Sequence, residues 1–186
     1  MIPMSPPSDH LLKTFAAVPV ANRVLDLGCG HRCHAGPLAL LGFDLHACAV
    51  DPDAVAALRE VLTGIAGTDE ARQRIVQVPR LDALGYPDAF FEWIVAYDVY
   101  GGDPTASTLP DALAESRRVL KPGGWIYVAV PVRKREEDGV GFTPETLHQT
   151  MQQAGFALAE EPEIRETEDR RLLEGIYRRV DAGTPV

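Results

Sequence analysis

The chain is poor in cysteine and in long apolar runs, and each shortage excludes a class of protein. Its 186 residues include only three cysteines, Cys29, Cys33 and Cys48, too few for the disulfide framework of a small secreted domain. No apolar run is long enough to cross a bilayer, so no transmembrane helix is predicted. Residues 1–8 contain no charged segment followed by an apolar one, so no secretory signal is predicted and a cytoplasmic location is expected.

Basic residues are also in the minority. There are 18 Lys and Arg against 27 Asp and Glu, a net charge of −9. An acidic chain is a poor general binder of polyanions, so neither nucleic acid nor a membrane surface is expected as a partner. Hydrophobic residues make up 46% of the chain, enough for one domain with a core. We expect residues 1–8, rich in proline, to form a flexible N-terminal tail, and residues 9–186 to form a single domain.

Strand and helix patterns alternate along the chain. Short apolar runs predict strands at 23–27, 43–50, 75–78, 91–97, 125–130, 156–165 and 171–180. Apolar spacing and capping residues predict helices at 9–17, 37–41, 54–63, 110–120 and 144–154. Ser8 is the predicted N-cap of the first helix, and the turn Lys121 to Gly124 is predicted to stop the fourth. Five interleaved strands predict a parallel sheet with helices on both faces, and the last two predict an antiparallel hairpin.

The segment V-L-D-L-G-C-G at 24–30 runs from a predicted buried strand into a loop that contains Gly28 and Gly30. Glycine permits a tight turn and a close approach of the backbone to a ligand. In an open parallel sheet this loop lies at the carboxyl edge, where ligands bind. Asp51 ends the second strand, where an acid accepts hydrogen bonds from ribose hydroxyls in nucleoside-binding folds. The alternative is that Asp51 only caps the following helix.

Four segments together resemble the class I S-adenosylmethionine-dependent methyltransferases. They are V-L-D-L-G-C-G at 24–30, A-V-D-P-D at 49–53, F-F-E-W-I-V-A-Y-D at 90–98 and R-V-L-K-P-G-G-W at 118–125. The K-P-G-G turn and the closing hairpin are the most discriminating parts, and a nicotinamide-binding domain would instead have glycine where Cys33 stands. The resemblance implies an α/β fold, a three-layer α/β/α sandwich around a seven-stranded, mostly parallel sheet of order 3-2-1-4-5-7-6 with strand 7 antiparallel.

The resemblance also implies a function and a set of binding residues. The function is methyl transfer from S-adenosylmethionine to an acceptor, which we expect to be a small molecule. Asp26 and the backbone around Gly28 and Gly30 would hold the methionine end of the cofactor, and Asp51 the ribose. The residues implied around the adenine and the sulfonium are Asp82 and Ala83 as hydrogen-bonding partners of the base, Pro52 and Leu81 against its faces, and Tyr97 near the sulfonium.

Two departures from the family pattern concern affinity and chemistry. Arg32 stands where a third loop glycine is common; it would either pair with the cofactor carboxylate or block the pocket. No histidine follows the fourth strand, which leaves Asp98, Tyr97 and Tyr100 as the polar candidates near the transfer site, and Asp98 and Tyr97 are the candidate catalytic residues. Asp98 is interpreted either as a general base or as a residue that only caps the turn. A displacement at a sulfonium needs no base when the acceptor is already nucleophilic.

Cysteines and histidines cluster between positions 29 and 48: Cys29, His31, Cys33, His34, His46 and Cys48. Their spacing matches no standard zinc pattern, so no metal is expected, and His34 is predicted to contact the cofactor or cap the next helix. Arg133 to Arg135 is interpreted as a solvated loop or as a contact to an acidic acceptor. The competing function is a non-catalytic domain that binds the cofactor, its product or a partner protein. The chain is expected to be a monomer or a homodimer.

Overall fold

The computed structural model of the chain describes residues 7–28, 34–101, 105–133, 141–166 and 171–181. Within these ranges seven strands and six helices alternate. The strands are β1 (Arg23–Leu27), β2 (Asp44–Ala49), β3 (Ile75–Gln77), β4 (Phe91–Tyr97), β5 (Leu120–Pro131), β6 (Phe156–Glu166) and β7 (Arg171–Arg179). The helices are α1 (Asp9–Phe15), α2 (Ala35–Leu40), α3 (Pro52–Ala66), α4 (Thr68–Arg74), α5 (Leu109–Val119) and α6 (Pro144–Gln153).

The strands form one sheet in the order β3-β2-β1-β4-β5-β7-β6, which confirms the predicted topology. The first five strands pair in parallel, and β7 is antiparallel to both β5 and β6. The order reverses between β1 and β4, and the carboxyl ends of these two strands lie side by side at one edge of the sheet. In open α/β sheets this position is where ligands bind.

Both faces of the sheet are covered, because side chains alternate between them along each strand. The α1 face is the layer on which α1 to α4 pack, and it carries Val95 and Tyr97 of β4. The α5 face is the layer on which α5 and α6 pack, and it carries Ile94 and Ala96. Four consecutive residues of β1, Val24 to Leu27, are buried, as expected for a parallel strand covered on both sides.

The predicted helix stop is confirmed, because α5 ends at Val119, but the predicted start of the fifth strand at residue 125 is wrong: β5 begins at Leu120, and Lys121 to Gly124 lie inside it. Phe91 pairs with Leu120 and Trp93 with Trp125, so three residues of β4 face six of β5. The extra residues bulge out of the ladder, and Gly123 adopts a φ of +71° there. The left-handed residue of such a bulge is best supplied by glycine. The Gly123-Gly124 pair is therefore explained by the bulge, and no turn between two elements is needed.

Two helix predictions have different outcomes. Ser8 caps α1 as predicted: its side chain accepts a hydrogen bond from the Leu11 N–H. The short helix α4 was not predicted, because only Ala71 of its seven residues is buried and the sequence therefore carries no apolar period. Among the helices of the described part, none is both long and apolar enough to span a membrane.

Candidate functional site

Gly28 ends β1 and adopts a backbone conformation that other residues rarely take, with a φ of +69°. Its N–H donates to the Cys48 carbonyl at 2.8 Å, which extends the pairing of β1 with β2. A Cβ at this position would lie 2.0 Å from Cγ2 of Val99, just beyond β4. Glycine is therefore required here because the loop passes directly over the residues after β4. The predicted cofactor residue Gly30 and the loop residue Arg32 lie outside the described residues.

Asp26 and Tyr97 lie on the same face of the sheet, near this glycine. Asp26 is paired with Ala47 on one side and Val95 on the other, and it is 1% exposed. Two residues further along each strand, Gly28 follows the end of β1 and Tyr97 ends β4. The sheet thus brings together three residues that the sequence predicted at one end of the cofactor.

Asp51 begins α3 and has the extended conformation of an N-cap residue. Its Oδ1 accepts a hydrogen bond from the Asp53 N–H at 2.9 Å, which confirms the capping interpretation. Both Asp51 and the adjacent Pro52, the first residue of α3, are exposed. A cap uses one carboxylate oxygen and leaves the other lone pairs as acceptors, so capping and ribose binding are compatible. The ribose interaction stays a prediction.

A cavity of about 250 Å³ lies between the segment after β3 and the segment after β4. Leu81 and Asp82, both predicted at the adenine, line it together with Val99 and Tyr100. Asp82 accepts a hydrogen bond from Arg80 Nε at 2.8 Å. The Ala83 N–H, predicted to donate to the base, donates here to the Arg80 carbonyl at 3.2 Å. The structure therefore brings Leu81 and Asp82 to one cavity, and their contact with adenine stays a prediction.

Glu115 of α5 holds the segment that carries Asp82 and Ala83. Its Oε1 accepts the Leu84 N–H at 2.8 Å, and both of its oxygens accept from Arg118. Arg118 in turn donates to the Tyr86 carbonyl at 2.8 Å. The Glu115–Arg118 ion pair therefore binds the backbone of this segment at two residues, Leu84 and Tyr86. The hydrogen bonds from Arg118 lower the pKa of Glu115, against the opposing effect of burial, and the Leu84 N–H lowers it further.

We predict that Glu115→Gln lowers the free energy of unfolding at pH 7 by about 1–2 kcal/mol, because the charge-assisted bonds to Arg118 are weakened. The folded-state pKa lies below the ordinary value of 4.5, so the contribution is present above that pH and lost as the pH falls through the folded pKa. Urea denaturation at pH 7 and pH 3.5 should show a gap between wild type and variant that shrinks in acid. The control is Asp88→Asn, which removes an 80% exposed partner of the same Arg118. A gap that is unchanged in acid, or as large for Asp88→Asn, would contradict this role.

Asp98 follows β4 and has a positive φ of +56°, which is uncommon outside glycine although aspartate tolerates it. Its N–H donates to the Ala129 carbonyl at 2.8 Å, so the backbone turns away from the sheet while still paired with β5. The half-buried side chain of Asp98 thus lies at the carboxyl edge, one residue after Tyr97. Its catalytic role stays a prediction.

Glu174 is a functional candidate that the sequence prediction missed. It lies on β7 opposite Ala129, which itself pairs with Tyr97, and it is 1% exposed. Its oxygens accept hydrogen bonds from the Tyr97 hydroxyl at 2.9 Å, from the Ser8 hydroxyl at 3.1 Å and from the Tyr127 hydroxyl. Burial and the negative charge of Glu174 raise the pKa of Tyr127, which keeps its phenol protonated.

Two histidine side chains lie next to Glu174 and the hydroxyl groups that bind it. His10 Nδ1 lies 2.9 Å from the Tyr127 hydroxyl and 3.5 Å from a Glu174 oxygen. His34 is fully buried, its ring centroid lies 4.5 Å from that of Tyr97, and its Nε2 accepts the Ser8 N–H at 3.3 Å. His34 is the N-cap residue of α2, as predicted, and its carbonyl accepts the Leu38 N–H at 3.0 Å, although its side chain makes no capping hydrogen bond. We call Ser8, His10, Tyr97, Tyr127 and Glu174 the Glu174 cluster.

The remaining candidates of the Cys/His cluster are dispersed. Among the described residues, no three His, Cys, Asp or Glu side chains are arranged to hold a metal ion. Cys48 is buried in β2, and burial raises the pKa of its thiol to about 12. Burial lowers the pKa of His46, against the opposing charge of Asp44. Cys29, His31 and Cys33 lie outside the described residues, as do Lys134 and Arg135.

The comparisons with known proteins agree with this geometry. A family model described as a methyltransferase domain matches residues 5–161. The chain belongs to this methyltransferase family. A sequence search of curated proteins finds no significant match. The match spans the glycine loop, Asp51, the Asp82 segment and β4, and it ends within β6, so the Glu174 strand lies beyond it.

Solved structures share the methyltransferase fold. A S-adenosylmethionine-dependent methyltransferase from Methanosarcina mazei superposes with a TM-score of 0.69 at 15% identity, covering 94% of this chain and 99% of that one. A 1,6-didemethyltoxoflavin-N1-methyltransferase from Burkholderia thailandensis, solved with its substrate and S-adenosylhomocysteine, gives 0.70 at 17%, covering 91% and 76%. The [4+2]-cyclase SpnF gives 0.64 at 20%, covering 92% and 80%. At these identities the similarity establishes the fold alone.

Proposed function

We propose that this protein is a S-adenosylmethionine-dependent methyltransferase that acts on a small molecule. The observation that carries the proposal is the contact of Gly28 with Val99, because it places the glycine loop against the end of β4 at the carboxyl edge of the sheet. The Val99 side chain fills the space that a Cβ of Gly28 would need, so this packing fixes the end of β1 against the end of β4 at the edge where ligands bind in open α/β sheets. Membership of the methyltransferase family and the strand order of the sheet also support a S-adenosylmethionine-dependent methyltransferase.

The residues present fit the cofactor. Asp51 offers an exposed carboxylate to the ribose, and Leu81 and Asp82 line the cavity in which adenine would lie. Asp26 and the Gly28 backbone would hold the methionine end, with Pro52 beside the base. The Ala83 N–H would donate to the base only by giving up its hydrogen bond to the Arg80 carbonyl. When bound, S-adenosylmethionine supplies an electrophilic methyl group on a sulfonium. The chain's residues then contribute alignment and exclusion of water.

Asp98 and Tyr97 are the proposed catalytic residues. Asp98 lies at the edge where an acceptor would approach, and we propose that its carboxylate removes a proton from the acceptor. The test is Asp98→Asn, since asparagine also tolerates the positive φ and so preserves the backbone. With an acceptor identified by release of S-adenosylhomocysteine from a panel of amines, phenols and carboxylic acids, turnover should fall about 100-fold. An unchanged rate would show that the acceptor reacts without this base.

The alternative is a non-catalytic or differently reactive domain. The fold similarity to the [4+2]-cyclase SpnF supports this alternative, because a protein described as a cyclase has the same architecture as the methyltransferases. The two functions differ in one measurement. A methyltransferase releases S-adenosylhomocysteine in proportion to the acceptor, whereas the alternative binds cofactor and releases none with any acceptor of the panel.

A further inference from the structure

Glu174 is a buried charge at the edge of the proposed site. Among the described residues, no lysine or arginine forms an ion pair with it, and His10 Nδ1 lies 3.5 Å from one of its oxygens. His10 also contacts Glu160 of β6 through Nε2 at 3.1 Å. Three hydroxyl donors, from Ser8, Tyr97 and Tyr127, compensate part of the cost of burying the carboxylate. Hydroxyl donors solvate the charge of Glu174 without cancelling it, so the carboxylate is a source of negative potential at this point of the sheet.

Tyr97 connects this charge to the glycine loop. Its hydroxyl donates to Glu174 at 2.9 Å, while its backbone ends β4 two residues before Val99, the residue on which Gly28 packs. A phenol that donates its proton to a carboxylate becomes more negative at oxygen, because hydrogen bonds in a chain polarise one another. The bond also fixes the orientation of the Tyr97 ring. Negative charge from β7 is thereby extended toward the end of β4.

We propose that Glu174 is a positioning residue that acts through Tyr97 to make the site prefer the positively charged sulfonium of S-adenosylmethionine over the neutral thioether of S-adenosylhomocysteine. This rests on the proposed function. The two ligands share adenosine and the methionine carbon chain, so the loop, ribose and adenine contacts bind both alike. Only a charge at the sulfur distinguishes them electrostatically, and a buried carboxylate is screened less than an exposed one.

The test measures the ratio of dissociation constants, S-adenosylhomocysteine over S-adenosylmethionine, by calorimetry at pH 8. Glu174→Gln should lower this ratio about fivefold, by weakening S-adenosylmethionine alone. Tyr97→Phe keeps the ring and removes the connecting hydroxyl, so it should lower the ratio about threefold even if Glu174→Gln fails to fold. The matched control is Glu163→Gln on β6, opposite Glu174 in register, whose side chain is 60% exposed and paired with Arg165. It should leave the ratio unchanged.

The outcomes separate this inference from the proposed function. If both ligands weaken by the same factor in Glu174→Gln and Tyr97→Phe, the cluster is only structural and the inference is overturned, although the wild type still binds. If Glu163→Gln lowers the ratio as much, the effect comes from net charge and the inference is again overturned. If the wild type binds neither ligand, both the inference and the proposed function fail.

Discussion

Replacing Gly28 with alanine is expected to lower the free energy of unfolding by about 3 kcal/mol and to weaken cofactor binding more than 100-fold. The new Cβ would lie 2.0 Å from Val99 Cγ2, far inside van der Waals contact, and the φ of +69° adds backbone strain. Relief requires the loop after β1 to move away from the segment after β4. These two segments form the carboxyl edge beside which the cofactor would lie, so stability and binding should fall together. Chemical denaturation and calorimetric titration measure the two effects.

Gly85 provides the matched control for Gly28. Its φ is +73°, but a Cβ there meets nothing within 4 Å. Gly85→Ala should therefore lose only the backbone preference, about 1 kcal/mol, and leave binding nearly intact. Adding Val99→Ala to Gly28→Ala removes the clashing methyl group and should restore part of the stability. Equal losses at the two glycines would contradict the assigned contact.

The second large effect is expected at Asp51, where one side chain serves both the helix and the proposed ribose contact. Asp51→Ala should raise the dissociation constant for S-adenosylmethionine about 30-fold, through loss of charge-assisted hydrogen bonds, and lower the free energy of unfolding by about 1 kcal/mol. Asp51→Ser separates the two, because serine caps a helix but offers no carboxylate. Its binding should be as weak as that of Asp51→Ala.

The stability of Asp51→Ser distinguishes the two roles. It should stay within a few tenths of a kcal/mol of wild type, since serine and aspartate are comparable N-caps. Asp53, exposed in the first turn of α3, gives a charge-matched control, and Asp53→Asn should leave binding within twofold. Wild-type affinity in Asp51→Ser would reduce Asp51 to a helix cap and contradict its part in the site.

The central strands were predictable because their signal is local. The sequence bounds of β1 and β4 agree with the structure, since each is an apolar run between turn residues. The failures lie where tertiary context decides. α4 is a polar helix supported by the pair Glu70 and Arg74. Lys121 to Gly124 become a bulge inside β5 only because β4 pairs with Leu120 and Trp125 on either side of them.

The candidate site likewise divides into residues with a local sequence signal, which were predicted, and residues defined by tertiary contacts, which were missed. Gly28 and Asp51 were predictable from their places at the ends of strands. Glu174 was not, because its partners are distant in sequence: Tyr97 is 77 positions away and Ser8 is 166. One signal was present, a glutamate in the middle of the apolar strand R-L-L-E-G-I-Y. A charged residue in a strand that must be buried predicts a satisfied polar partner, although the sequence does not say which.

Calorimetric titration of the full chain with S-adenosylmethionine tests the central claim most directly. We expect one binding site per chain with a micromolar dissociation constant. The affinity should be retained in Asp53→Asn and reduced in Gly28→Ala and Asp51→Ser. The absence of heat and of thermal stabilisation at millimolar ligand would contradict it, and the chain would then share the methyltransferase fold without its cofactor.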